Sequence, residues 1–175
     1  MTGKPDDRQR QPDDPDRPPG ADPHPGIVVR RLQTWDLERV IAIDAKITGR
    51  RREEFFRHKL HQALADTGIE VSLAGEVDGA CAGFLLARVH YGEFGRLEKV
   101  AVLDTIGVHP DFKGRGVGAG LLDQLRTNLL ALGIPRLQTE IGWDNPDLLA
   151  FFHHEGFHPA PRFCLDLDLE TTRRS

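Results

Sequence analysis

The sequence predicts a mixed α+β fold, in which a mostly antiparallel sheet is flanked by helices. Two features of the 175 residues carry this prediction. Short segments with alternating apolar residues occupy much of the first half and are joined by turn sequences, which is typical of antiparallel strands. A strand, a glycine-rich loop, an apolar helix and another strand then follow one another, which is typical of a single β-α-β unit.

The first elements are a strand and two helices. Ile27–Leu32 is expected to form the strand, and either Thr34 or Asp36 is expected to cap the helix that follows it. Gly49 ends that helix. The apolar face of the second helix consists of Phe56, Leu60, Ala63 and Leu64.

A meander of strands comes next. Alternating apolar residues predict a strand around Ile69–Leu73, and Asp78-Gly79 predicts a tight hairpin turn into the strand Ala80–Val89. A second reversal, between Tyr91 and Gly95, would lead into the strand that ends at Val108. The remaining predicted elements are a helix ending at Gly133, a strand at Leu137–Ile141, a helix from Pro146 to about Glu155, and an edge strand at Phe163–Leu169.

Composition indicates one folded domain over residues 26–175, preceded by a disordered tail over residues 1–25. The tail holds seven of the twelve prolines and ten charged residues, and its only apolar side chains are Met1 and Ala21. Such a segment cannot bury enough apolar surface to offset the entropy lost on ordering.

Charge and cysteine content exclude several classes of function. A formal net charge of −4 gives no positive field that would attract nucleic acid or an anionic membrane, so neither is an expected partner. Cys81 and Cys164 lie far apart and outside any C-x-x-C motif, so no disulfide framework or metal site is expected. The chain has no apolar run long enough to span a membrane, and its start is too polar for a signal peptide. We therefore expect a cytoplasmic protein, and a homodimer is left open.

The glycine-rich loop is the strongest functional signal. Four alternate glycines, at positions 114, 116, 118 and 120, stand between a strand and an apolar helix. Successive backbone amides at a helix N-terminus bind phosphate oxygens, and glycine allows the close approach and positive φ that such a loop needs. Lys113 and Arg115 would add positive charge at the rim.

Two common phosphate-binding motifs do not account for this loop. The pattern G-x-x-x-x-G-K-[ST] is absent. Gly114-Arg-Gly116-Val-Gly118-Ala119 does satisfy G-x-G-x-x-G/A, with Glu140 about 20 residues further on, as a dinucleotide-binding fold would have. However, five residues separate the strand from the first glycine, and only 35 residues follow Glu140, too few to complete a doubly wound sheet.

Over about residues 26–170 the sequence resembles the GCN5-related N-acetyltransferase (GNAT) superfamily. Its phosphate loop, [Q/R]-x-x-G-x-[G/A] after a hydrophobic-x-Pro strand end, is matched by Ile106-Gly-Val-His-Pro110 and Lys113-Gly-Arg-Gly116-Val-Gly118, with Lys113 in place of the usual Gln or Arg. The second signature, N-x-x-A-x-x-x-[YF]-x-x-x-G-F, is matched at four positions, while Leu148 replaces the small residue. The four matches are Asn145, Phe152, Gly156 and Phe157.

The resemblance implies an acyl-CoA N-acyltransferase fold with a sheet splayed at its centre. It also implies acetyl-CoA as cosubstrate, without a metal, and direct transfer of the acetyl group to a primary amine of a small molecule, peptide or protein. Asn145 and Phe152 would flank the acetyl end of the coenzyme. The pantetheine arm would lie along Ile106, Gly107 and Val108, and the pyrophosphate would lie on the loop, formed by Lys113, Gly114, Arg115, Gly116, Val117, Gly118 and Ala119.

Two carboxylates are candidates for the catalytic base that takes the proton of the amine. Glu140 follows the strand after the coenzyme helix, and its place resembles that of the catalytic glutamate in ribosomal-protein N-terminal acetylases of the superfamily. Asp104 interrupts an apolar strand, so it must be paired or have a task. We favour Glu140 as the base and expect Asp104 to serve the sheet.

The proton donor for the departing thiolate is not evident. Many family members have a tyrosine where this chain has Phe152, and the adjacent His153 and His154 are expected to face solvent. An inactive acyl-CoA-binding regulatory module is therefore the alternative function. The arginine run Arg50–Arg52 could recognise an acidic group, although a solvated charge run is the expectation that we favour.

Overall fold

The computed structural model describes residues 24–65, 71–91 and 98–169, and within these residues five strands form a single sheet. The chain divides into two compact units, Met1–Glu140 and Ile141–Ser175. The strands are β1 (Ile27–Arg31), β2 (Leu73–Val77), β3 (Ala80–Tyr91), β4 (Lys99–Val108) and β5 (Leu137–Thr139). The α-helices in the described residues are α1 (Leu37–Thr48), α2 (Glu53–Ala65), α3 (Val117–Ala131) and α4 (Pro146–His154).

The sheet has the order β1-β2-β3-β4-β5, and its topology confirms the predicted fold class. The first four strands are antiparallel to their neighbours, and β5 is parallel to β4. Helix α3 makes the crossover between the two parallel strands. The hairpin between β2 and β3 turns at Asp78 and Gly79, which both have positive φ, 51° and 77°. This pair of left-handed residues defines the predicted two-residue turn.

The two faces of the sheet bury different helices. Ala74, Phe84 and Leu86 belong to the core beneath α1 and α2, where Phe84 meets Phe56 edge to face at 5.7 Å between ring centroids. Neighbouring residues of a strand point to the opposite face, and there Gly75 and Gly83 lie under α3. A Cβ at Gly83 would be 2.9 Å from Val117 Cγ1. Glycine therefore lets the first turn of α3 lie directly on the sheet.

Ion pairs fix the helices on the α1–α2 side. Arg30 donates to both oxygens of the fully buried Asp36, at 2.7 and 2.8 Å. Burial opposes the ionisation of Asp36, but the bonds from Arg30 and from the Gln33 amide hold its pKa below the usual value. Arg52, the residue before α2, donates to Asp44 of α1 and thereby joins the start of α2 to α1.

The described part of the second unit contains α4 and a segment after it that forms no helix or strand. The side-chain oxygen of Asn145 accepts from Leu148 N at 3.2 Å, and Pro146 is the first residue of the helix, as predicted. The predicted edge strand at Phe163–Leu169 is wrong for the described residues, which form no strand there. Alternation of apolar residues indicates which face a strand would bury, but it does not supply a neighbouring strand. The four alternating residues are all exposed: Phe163, Leu165, Leu167 and Leu169.

Several predicted boundaries shift or fall outside the described residues. β5 ends at Thr139 rather than Ile141. β2 begins at Leu73, and the predicted strand start at Ile69 lies outside the described residues, as does the predicted reversal at 91–95 after Tyr91. Residues 1–23 of the predicted tail also lie outside the described residues, whereas His24 is described and contacts α3. In the described part of the chain, no helix is long and apolar enough to cross a membrane.

Candidate functional site

The parallel strands β4 and β5 form a fork. They pair over three positions, Ala101–Leu103 with Leu137–Thr139, and Thr139 Oγ1 donates to the Leu103 carbonyl at 3.0 Å. Beyond these positions β4 continues to Val108 and pairs only with β3 among the described strands. The backbone of residues 104–108 therefore has an edge on the β5 side that is not part of a ladder. An edge of this kind can bind an extended ligand through its N–H and C=O groups.

A β-bulge at Asp104 coincides with the start of the fork. Leu86 pairs with Thr105, but the next residue of β3, Ala87, pairs with Leu103. Asp104 is therefore an extra residue in β4, and a bulge bends its strand and increases the local twist. The bulge thus lies at the first residue beyond the β4–β5 pairing.

The glycine loop joins the open end of β4 to α3. After β4, a 3-10 turn at Pro110–Phe112 precedes Gly114 and Gly116, whose φ angles are 78° and 81°. Gly116 is the N-cap of α3, and no side chain caps the helix there. The first amides of an α-helix have no partner within the helix, so this N-terminus offers uncapped donors directly after the open strand edge.

The four alternate glycines serve different purposes. Gly114 and Gly116 have backbone angles that other residues adopt only with strain. Gly118 is buried in the first turn of α3. A Cβ at Gly120 would lie 3.3 Å from Cγ of His24, so this position accommodates a neighbouring ring rather than a ligand.

The loop has a positively charged rim. Lys113 and Arg115 are both exposed. The guanidinium of Arg115 lies 5.3 Å from the centre of the Phe112 ring, and its ion pair with Asp78 is long, at 3.9 Å. Exposed pairs of this length contribute little free energy, so both cations can also interact with an anion at the loop.

The two candidate carboxylates lie at matching positions of the fork, one residue beyond the last paired position of each strand. Asp104 is 12% exposed and accepts from Arg88 at 2.5 and 2.9 Å, with Lys59 Nζ at 3.6 Å. Glu140 is exposed, and within the described residues no hydrogen bond or ion pair engages its carboxylate. Asp104 is thus held by two cations from β3 and α2, as its expected role in the sheet requires.

The residues of the second signature lie on α4 and directly before and after it. Asn145 caps the helix, and Phe152 is buried, with its ring centre 4.9 Å from that of Phe157. His153 and His154 are exposed, as predicted. Trp143, just before the cap, is 98% exposed.

Neither cysteine is a good nucleophile candidate, and two of the three consecutive arginines are in ion pairs. Burial, with a smaller effect from Asp36, raises the pKa of the Cys81 thiol, and a thiol that stays protonated attacks poorly. Cys164 is exposed in the segment that follows α4. Arg51 pairs with Glu38 at 2.7 Å, and Arg52 pairs with Asp44. The described residues contain no group of three or more side chains that could hold a metal ion.

An opened parallel strand pair followed by a glycine-lined helix N-terminus defines the class of acyl-CoA N-acyltransferase folds. The family model of the acetyltransferase (GNAT) family matches residues 32–157. The chain belongs to the GNAT acetyltransferase family, as its motifs predicted.

Solved structures with the same fold are distant in sequence. Aminoglycoside N-acetyltransferase AAC(6')-Iy in complex with CoA is 18% identical, with a TM-score of 0.68 over 82% of this chain and 95% of that one. Ribosomal-protein-alanine N-acetyltransferase from Brucella melitensis is 18% identical, with a TM-score of 0.65 over 82% of this chain and 99% of that one. A transcriptional regulator from Bacillus halodurans is 18% identical, with a TM-score of 0.68 over 82% of this chain and 99% of that one. At these identities the likeness establishes the fold.

Proposed function

We propose that this chain is an N-acetyltransferase that moves the acetyl group of acetyl-CoA directly to a primary amine of a small molecule, peptide or protein. The observation that carries the proposal is the fork between β4 and β5, with the glycine loop at its open end. Two of the structural neighbours support an amine acceptor by their names, which are aminoglycoside N-acetyltransferase and ribosomal-protein-alanine N-acetyltransferase.

The described residues fit the coenzyme. In the proposal, the amides of the pantetheine arm bond to the open backbone edge of Ile106, Gly107 and Val108, as an added strand would. The pyrophosphate accepts from the loop and first-turn amides, with help from the helix dipole and from the exposed charges of Lys113 and Arg115. Lys113 in place of Gln or Arg is compatible with this arrangement, because the principal donors are backbone groups.

Acetyl transfer requires a neutral amine beside the thioester carbonyl. The amine nitrogen forms the new C–N bond, the C–S bond breaks, and Glu140 removes a proton from the amine, directly or through water. Glu140 suits this role because its carboxylate is exposed at the fork, whereas Asp104 is held by Arg88 and Lys59. No acyl-cysteine is needed, in keeping with the raised pKa of Cys81.

The coenzyme thiolate leaves without a tyrosine at the usual position. Phe152 has no proton to donate, and it packs against Phe157 as a core side chain does. A free thiol has a pKa of about 8.5 and is mostly protonated at neutral pH. In our proposal the thiolate therefore takes its proton from solvent. The free cysteines are compatible with a reducing cytoplasm.

A turnover assay tests the proposal. Purified protein is incubated with acetyl-CoA and a panel of amines, including aminoglycosides, polyamines and peptides with free N-termini, and the thiol release and acetylated products are measured. We expect release of free CoA that depends on an amine, with a mass increase of one acetyl group on the product. Binding of acetyl-CoA without turnover on any amine would instead favour the inactive acyl-CoA-binding module.

A further inference from the structure

The side chain of His24, the first residue that the structure describes, contacts helix α3. His24 lies in the turn that precedes β1, where its carbonyl accepts from Ile27 N at 3.1 Å. Its Nε2 is 2.8 Å from Asp123 Oδ2 on α3, and its side chain is 19% exposed. This contact joins residues that are 99 positions apart in the chain.

The ring of His24 lies on a seat formed by glycines. A Cβ at Gly116 would lie 3.4 Å from Nδ1 of the ring, and one at Gly120 would lie 3.3 Å from Cγ. Gly116, Gly120 and Asp123 are spaced i, i+4 and i+7, so they share one face of the helix. The imidazole thus covers the first two turns of α3, next to the loop amides.

We propose that His24 is a positioning residue for coenzyme binding: it fixes the N-terminal turns of α3, and with them the loop amides, against the turn that leads into β1. That the ligand of these amides is a coenzyme rests on the function proposed above. The positioning role itself is supported by the contacts of the ring with Gly116 and Gly120 and by its bond to Asp123.

The surroundings of His24 favour a durable contact. Asp123 is 32% exposed and also accepts from Arg126 at 2.8 Å through its other oxygen, so its carboxylate is oriented from two sides. Ile27 Cδ1 also reaches the seat, 3.9 Å from the Cβ position of Gly116. Removing the ring would leave Gly116 and Gly120, two residues with high backbone freedom, uncovered at the start of the helix.

The expected effect is on binding and not on chemistry. His24 contacts the side of α3, while Glu140 follows β5, so His24→Ala should leave kcat unchanged. It should raise the KM and Kd for acetyl-CoA several-fold, because the loop amides must then be ordered by the ligand itself. His24→Gln retains an N–H donor for Asp123 and should restore much of the affinity. His58→Ala, at an exposed histidine on α2, is the matched control and should change neither constant.

A second measurement does not require the coenzyme to be the ligand. Amide hydrogen exchange at residues 114–119 in the free protein should become faster in His24→Ala and return toward the wild-type rate in His24→Gln. Gly120→Leu puts a side chain where the ring lies, so it should reproduce both effects of His24→Ala. Combined with His24→Ala, it should add no further loss of affinity, because the ring it displaces is already absent.

The outcomes separate the two proposals. Unchanged loop exchange and unchanged coenzyme affinity in His24→Ala would overturn the positioning role. A lowered kcat at unchanged KM would overturn it as well. Faster loop exchange in a protein that does not bind acetyl-CoA at all would support the positioning role and refute the proposed function.

Discussion

At the fork of the sheet, Asp104 is the first residue of β4 beyond the paired positions, and Glu140 is the first such residue after β5. Asp104 lies in a bulge, is 12% exposed and is held by Arg88 and Lys59. Glu140 is exposed, and no described residue pairs with its carboxylate. Two carboxylates at equivalent positions therefore have opposite surroundings.

This difference in surroundings indicates a structural role for one carboxylate at the fork and a catalytic role for the other. A carboxylate that neutralises two partly buried cations stabilises the strand that carries it, and its removal takes away the negative charge that it places beside them. A carboxylate in contact with solvent can accept a proton from a substrate without breaking an internal bond. We therefore assign a structural role in β4 to Asp104 and propose the catalytic base at Glu140.

The largest expected effect is that of Glu140→Gln. The amide cannot accept the proton of the amine, so kcat should fall by about 10²–10⁴-fold, as for the loss of a general base. The Kd for acetyl-CoA and the Tm should change little, because no described residue is paired with this carboxylate. Steady-state kinetics at saturating acetyl-CoA measures the loss.

Asp144→Asn, which neutralises another exposed carboxylate close in sequence, is the control and should keep kcat near the wild-type value. Near-normal kcat in Glu140→Gln, together with a lost kcat in Asp104→Asn at unchanged Tm, would reverse the assignment of the two carboxylates. If neither substitution matters, the amine loses its proton to water and catalysis relies on positioning.

The second prediction compares the two ends of α3. Gly114 and Gly133 both have positive φ, 78° and 67°, and a Cβ at either would meet nothing within 4 Å. Alanine at each position should therefore destabilise the protein to a similar extent, about 1–2 kcal/mol. Gly114→Ala alone should also weaken acetyl-CoA binding, by about 10- to 100-fold, the equivalent of one hydrogen bond to a charged group. Isothermal titration of both variants measures this, and equal affinities would count against phosphate binding at the loop.

Asp104→Asn should act on stability. The amide has nearly the same volume but no charge, so Arg88 and Lys59 lose the negative charge beside them, which should lower the free energy of unfolding by about 1–3 kcal/mol. Thermal and denaturant unfolding measure the effect, and Arg88→Met should show a loss of the same sign. An unchanged Tm would mean that the pair does not hold the bulge.

The smallest effect is expected at the N-terminus. Deleting residues 1–23 should leave the Tm nearly unchanged, because the apolar side chains in that stretch are only Met1 and Ala21. Deleting residues 1–25 also removes His24 and its bond to Asp123 and should lower the Tm measurably relative to the shorter deletion. Equal Tm values for the two proteins would show that the contact of His24 contributes no stability.

The sequence predicted those features whose cause is local. The Asp78-Gly79 turn, the glycine that ends α1 and the cap at Asn145 depend on backbone angles and near neighbours, and all are found. The glycine loop was predictable for the same reason, since its pattern combines positive φ with a helix start. The order of the predicted strands and helices then indicated a mixed sheet.

Features that depend on distant residues were not predictable from one sequence. The apolar surroundings of Asp104 indicated a paired carboxylate, but they did not identify Arg88 or Lys59 as its partners. Gly120 belongs to the run of alternate glycines, but the sequence does not indicate that the ring it accommodates comes from His24. The alternating residues 163–169 predicted a strand, and the described residues provide it with no neighbour.

A crystal structure of the protein grown with acetyl-CoA tests most directly whether the coenzyme lies in the fork. We expect pantetheine amides bonded to the backbone of residues 106–108 and pyrophosphate oxygens within hydrogen-bond distance of the amides of residues 113–118. The acetyl carbon should lie on the side of the fork from which Glu140 can be reached. Acetyl-CoA bound elsewhere on the protein, with the open edge of β4 in contact with solvent alone, would show that the fork is not the coenzyme site.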